Sequence, residues 1–208
     1  MTAEPEVSRR ERKKEETKER IFKAAFALFK QRGVDATTVE EICEKADVAK
    51  GTFFNYFPHK EAVFGYLGED WFAQAEEGSA AILAKPGRVG PQLIAMFSEL
   101  AAFYEEEPAL ARYVMDEWMR NQHTGTDEMC QRWDDLAVRL VEKLQANGEL
   151  RADEDAERLA CVIQCVHQGT ILEYVASPKS PFPLRKELRR RLTLAIEGLA
   201  PRGGKSRA

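Results

Sequence analysis

The chain has 208 residues, of which 44% are hydrophobic and 32% charged, an ordinary composition for a globular protein that closes a core without disulfides or metals. No apolar run approaches the ~18 residues of a membrane helix, and the basic N-terminus is not followed by an apolar stretch. The expectation is therefore a cytoplasmic protein with no membrane partner. The formal net charge of −4 argues against coating nucleic acid over a whole surface, yet residues 8–32 hold ten Lys/Arg against four acids, +6, which leaves −10 for the rest. A basic head on an acidic body suggests a local contact with a polyanion.

Nothing reads as strand, and apolar residues recur at three and four. Ile21, Phe22, Ala25, Leu28 and Phe29 stripe a first helix over about 8–32, stopped by Gly33. Because the stripe starts only at Ile21, residues 1–14 read as a basic, mobile arm. Thr38-Val39-Glu40-Glu41 is a capping box that opens a second helix with Val39, Ile42 and Ala46 inward. Asp47-Val48 is a tight turn. A third helix covers about 49–57 and ends at Pro58. A fourth runs from about 59 to 84, with Val63, Phe64, Leu67, Trp71 and Ala75 inward. Further helices are expected at about 90–105, 108–121, 126–147, 153–177 and 182–198, with a disordered tail over 201–208.

Two short helices joined by a turn, behind a longer helix, make a helix-turn-helix, whose second short helix enters the major groove. Ala49, Phe53 and Phe57 repeat at i, i+4, i+8 and pack inward, so Lys50, Gly51, Phe54 and Asn55 face outward, flanked by Thr52 and Tyr56. Gly51 lets backbone approach DNA, Asn55 suits an adenine edge, and Lys50 suits guanine or a phosphate. On periodicity alone, an ordinary αα-corner with a solvated polar side fits equally well.

The stretch Thr37-Thr38-Val39-Glu40-Glu41-Ile42 and then Ala46-Asp47-Val48-Ala49-Lys50-Gly51-Thr52-Phe53-Phe54-Asn55-Tyr56-Phe57-Pro58-His59-Lys60-Glu61-Ala62 closely resembles the DNA-binding domain of the tetracycline-repressor (TetR/AcrR) family. Ala24-Ala25, Leu28-Phe29 and Gly33 fit the same pattern. The resemblance covers about residues 15–65. It implies an all-α homodimer, with an N-terminal three-helix head over 1–65 and a C-terminal helical ligand-binding and dimerisation domain over 66–200. It implies operator DNA as partner, with Thr38, Lys50, Tyr56 and Lys60 as phosphate or groove contacts and Thr52, Asn55 and the Gly51 amide as base readers. Three positions depart from the family pattern: Ala49 replaces a capping Ser, Asp47 a turn Gly and Phe54 a Tyr.

The body offers aromatics and methionines for a permissive pocket. Phe97, Phe103, Met115, Trp118, Met119, His123 and Trp133 are candidate walls, with Gln164 and His167 as polar contacts for an apolar or amphipathic effector. For any one of them core packing is the favoured reading; the pocket reading rests on the group. Cys43, Cys130, Cys161 and Cys165 match no zinc spacing and read as buried, reduced packing thiols. P-loop, G-x-G-x-x-G, H-E-x-x-H and G-x-S-x-G motifs are absent, so neither a cofactor, a metal nor an enzyme is expected. The function expected is a repressor that releases a palindromic operator on binding effector. The alternatives are an activator or ligand-independent regulator on the same scaffold, or a helical interaction module.

Overall fold

The computed structural model describes residues 8–122, 128–177 and 182–201; His123 and most of the tail fall outside them. The chain divides into two compact units, Met1–Leu67 and Gly68–Ala208. Among the described residues every regular element is helical.

In the first unit, α1 (Arg9–Arg32) packs Ile21, Ala24, Ala25, Leu28 and Phe29 inward. The expected arm is, from Arg9 on, the beginning of this helix. Ser8 caps it in a reciprocal box, donating its N–H to Glu11 (3.0 Å) and accepting at its hydroxyl from the Glu11 N–H (3.2 Å). These turns are exposed, so the cap and the charged side chains hold the helix without an apolar stripe. α2 (Val39–Ala46) starts at the expected box: the Glu41 carboxylate accepts from the Thr38 N–H at 2.9 Å and the Thr38 hydroxyl accepts from the Glu41 N–H at 3.3 Å. Asp47 then takes the left-handed conformation, φ 53° and ψ 56°, which a short polar side chain tolerates. α3 (Lys50–Phe54) is shorter than the expected nine residues, but the Phe57 N–H still donates to the Phe53 carbonyl at 2.9 Å, carrying the helical pattern one turn further. Ala49 provides no side-chain cap, as its methyl requires. The expected helix from residue 59 opens instead as a 3-10 turn, Lys60–Val63, before α4 (Phe64–Leu83).

The second unit contains α5 (Gly90–Leu100), α6 (Ala102–Glu106), α7 (Pro108–Gln122), α8 (Glu128–Ala146), α9 (Ala156–Ala176) and α10 (Leu184–Gly198). The single helix expected over 90–105 is broken at Ala101. The core is built from Phe72 and Ala75 of α4, Leu93 of α5, Leu136, Leu140 and Leu144 of α8, and Leu159 of α9. α10 adds Leu184, Leu188 and Leu192 at 4-residue spacing, with Leu184 and Leu188 fully buried.

A buried carboxylate ties two segments of this unit together. Glu149, with a side chain 2% exposed, accepts from the Val89 N–H at 2.6 Å and the Gly90 N–H at 3.1 Å. These are free amides at the start of α5, whose N-cap Val89 offers no side-chain acceptor. Charge and helix dipole reinforce the bond. Gly90 is required here: a Cβ would sit 2.9 Å from the Glu149 carboxylate. Gly148, at φ 71°, turns the chain so that Glu149 faces α5 rather than continuing α8.

α9 corrects two expectations. It is long and apolar enough, by composition, to cross a membrane, yet only 28% of that stretch is buried within the chain. Cys161 and Cys165 are exposed on it, not buried; only Cys43 is a core thiol, and Cys130 is half-buried. Together with Val162 and Leu172 they form a bare apolar stripe, ended by the exposed Arg158 and Glu173.

Candidate nucleic-acid interface and effector region

α3 presents two faces. Phe53 and Phe57 are 0% and 3% exposed, their rings 5.8 Å apart, and they fix the helix to the core of the first unit. Lys50, Gly51, Phe54 and Asn55 are exposed, with Phe54 at 52%; Thr52 and Tyr56 are half-buried at the flanks. Gly51 is the informative residue. It lies within the helix, where glycine costs about 1 kcal/mol relative to alanine, and no atom of the chain would touch a Cβ there. The fold gives no steric reason for glycine at this position, and on the outward face of α3 its bare backbone is open to approach.

Lys50 lies against the Glu40 carboxylate, and that ammonium holds the Glu40 carboxyl below its usual range. Both groups are exposed, so a phosphate can replace Glu40 at little cost. Thr38 is exposed at the start of α2, its hydroxyl shared with the cap.

Lys60 has a second role in the free chain. Its ammonium donates to the carbonyls of Val34 (2.7 Å), Thr37 (2.9 Å) and Asp35 (3.4 Å), closing the loop between α1 and α2. A side chain bonded to three carbonyls braces the loop, and Lys60 opens the 3-10 turn that leads into α4. Lys60→Ala is therefore expected to lower the stability of the first unit by about 2 kcal/mol. The slope of log affinity for duplex DNA against log salt should stay unchanged, as read by melting and salt titration. A slope flatter by about one unit at intact stability would return Lys60 to the phosphate contacts.

In the second unit, the expected pocket residues separate. Phe103 lies 5.3 Å from Trp71, and both line a cleft of about 390 Å³ with Gln74, Met96, Glu99, Leu100, Ala102 and Glu106. Glu99 is already bridged by Arg185 (3.1 Å) and Arg189 (2.5 Å) of α10. A second group lies on another side of α5: the Phe97 ring is 6.5 Å from Trp133 and 6.1 Å from His167. Met115 is buried, Trp118 half-buried and Met119 37% exposed. Gln164 is paired with Asp134 at 2.9 Å on the surface. Trp71 and Gln74 escape the sequence reading because they belong to α4, before the expected pocket region.

The His167 ring hydrogen-bonds the Phe97 carbonyl, and burial pushes its pKa down to about 4. An unfolded histidine ionises near 6.5. The unfolded chain thus takes up a proton that the folded chain refuses, and the stability present above pH 6.5 is lost as pH falls toward 4. The loss should reach about 3 kcal/mol, read as the difference in urea unfolding between wild type and His167→Phe at pH 7 and pH 4. Parallel pH profiles for the two proteins would show that the ring is not held neutral.

A polar recognition face on a core-anchored second short helix defines a helix-turn-helix DNA-binding regulator. Residues 21–67 match the family described as "Bacterial regulatory proteins, tetR family". The fold is similar to that of the Thermus thermophilus FadR repressor, a TetR-family protein crystallised with lauroyl-CoA, with a TM-score of 0.73 and 30% identity over 92% of this chain and 99% of that one. The transcriptional regulator YdgC of Bacillus subtilis is 27% identical over 90% of this chain and 95% of its own length. The repressor KstR of Mycobacterium tuberculosis is 26% identical over 83% and 77%. The chain belongs to the TetR family and is a ligand-responsive transcriptional regulator.

Proposed function

We propose that the protein is a homodimeric repressor that binds a palindromic operator through α3 and releases it when a fatty-acyl effector binds the second unit. Gly51 carries the operator part of this reading: it is unexplained by the fold and suits a backbone that must approach DNA closely. Lys50, Thr38 and Tyr56 serve as phosphate or groove contacts, and Thr52, Phe54 and Asn55 face the bases. The bare stripe of α9, with Leu194 of α10 58% exposed, suits a second copy of the chain. A two-fold dimer places its recognition helices one DNA turn, ~34 Å, apart. The effector class rests on the likeness to the lauroyl-CoA-binding FadR and on apolar groups flanking α5. Binding need only favour dimers whose spacing does not match the groove repeat. No step in this account is catalytic, and the protein acts where its operator is, in the cytoplasm.

Selection of binding sites from random duplex DNA tests the proposal. An inverted repeat is expected for wild type, and Asn55→Ala should relax preference at one position per half-site by ~1–3 kcal/mol. Recovery of no preferred sequence would favour the interaction-module reading.

A further inference from the structure

α9 buries one face, and His167 sits in the middle of it, between Ala160 and Ile163 on one side and Thr170, Ile171 and Tyr174 on the other. The polar groups on that face are satisfied unequally. Thr170 donates to the Val166 carbonyl at 2.7 Å. His167 Nε2 has no exposure, and no donor reaches it among the described residues. The other ring nitrogen is already committed, since the ring donates to the Phe97 carbonyl. That bond fixes the tautomer, so the enclosed Nε2 carries a lone pair, with the Phe97 ring beside it, 6.1 Å between centroids. Histidine gains one bond here, to the Phe97 carbonyl, but leaves Nε2 without a donor in the free chain. A buried acceptor without a donor is a standing penalty, and a phenylalanine or leucine would fill the same space without it. Among the described residues no cluster of metal-binding side chains includes His167.

We propose that His167 Nε2 is the acceptor that recognises an uncharged hydrogen-bond donor, a hydroxyl or an amide N–H, on the effector. This deepens the effector-binding reading above and rests on it. The polarity of the site is specific. A carboxylate, a phosphate or a thioester oxygen brings a lone pair against a lone pair and is rejected. A hydroxyl or amide N–H on an otherwise apolar body is accepted. In an acyl-CoA, the pantetheine arm carries such donors and the thioester none, so its acyl end cannot be what His167 reads. α5 separates this site from the surface cleft, sending Met96 and Leu100 into the cleft and Phe97 against His167.

The full-length protein, labelled with ¹⁵N-histidine, is titrated with two probes of equal chain length, 1-dodecanol and dodecyl methyl ether, of which only the alcohol carries a donor. The His167 Nε2 resonance, assigned by its loss in His167→Phe, is expected to move with dodecanol and not with the ether. Dodecanol should bind about five-fold more tightly, the scale of one net hydrogen bond. In His167→Phe the two probes should bind alike. If that variant does not fold, the resonance shift in wild type decides. Equal affinities with an unmoved resonance, an alcohol preference that survives in His167→Phe, or no binding of either probe would each overturn the assignment. Operator release by lauroyl-CoA in the same preparations tests the acyl-effector reading separately: release with a silent His167 keeps that reading and removes this one.

Discussion

Gly51→Leu is expected to lower operator affinity about 100-fold or more while leaving the melting temperature unchanged or higher. The two effects have separate causes. A Cβ at this position meets nothing in the chain, so the fold tolerates it, and replacing a helical glycine stabilises by up to about 1 kcal/mol. Against DNA, the branched side chain would hold α3 off the groove. Loss of the Gly51 amide contact and its neighbours, each worth ~1–3 kcal/mol, readily exceeds the 2.7 kcal/mol that corresponds to 100-fold. Gly51→Ala should fall between. Binding titration and thermal melting of the same samples check this. Undiminished binding by Gly51→Leu would mean that the outward face of α3 is an ordinary solvated surface.

Glu149→Ala is expected to produce the largest loss of stability in the second unit, about 3 kcal/mol, which is roughly 6–12 °C for a chain of this size. Truncation leaves the Val89 and Gly90 amides without their acceptor. It also leaves a space where the Glu149 side chain, 2% exposed, had been enclosed. Glu149→Gln keeps one acceptor oxygen but brings an amide group against the donors and loses the charge, so it should fall between. Gly90→Ala should approach the cost of Glu149→Ala, because its methyl and the carboxylate compete for one place. Equilibrium unfolding of the three variants checks the order. A change under about 0.5 kcal/mol for Glu149→Ala would mean that water replaces the cap and that the tie between the two segments is dispensable.

The two halves of the chain were unequally legible in sequence. In the first unit, function is written in local chemistry: a capping box, a left-handed turn at Asp47 and the Phe53/Phe57 pair at i, i+4 each determine structure within a few residues, whereas Ala49, expected inward at the head of that stripe, is exposed at the N-cap. The inward and outward faces of α3 could therefore be read directly. The loop bracing by Lys60 was not legible because its partner carbonyls lie 23–26 residues away, and a lysine's spacing does not reveal which oxygens it reaches. The start of α1 near Ser8 was legible, but residues 9–14 read as a mobile arm because that stretch rests on a cap and charged side chains, whereas the apolar stripe begins only at Ile21. In the second unit, function depends on tertiary placement. Phe97, Trp133 and His167 belong to three helices, and their spacing differs in no way from core packing. Glu149 carried a usable signal: an acid just after a helix-ending glycine has no amide of its own helix to cap. Its partner, 59–60 residues away, had no local mark. Cys161 and Cys165 looked like packing thiols because an apolar face reads the same whether it is covered by its own chain or by a second copy.

The most direct test is the fluorescence anisotropy of a labelled duplex carrying the selected inverted repeat, titrated with the protein and then with lauroyl-CoA. The account predicts binding by a dimer, a log–log salt slope of about −0.9 per neutralised phosphate, and a return to the anisotropy of free DNA as the acyl-CoA saturates the protein. It also predicts tighter binding of lauroyl-CoA to the DNA-free protein than to the complex by the same factor, because coupling between two sites is reciprocal. Affinity no greater than for random duplex DNA would contradict the operator claim. Operator binding that lauroyl-CoA leaves unchanged at saturation would contradict the acyl-effector claim.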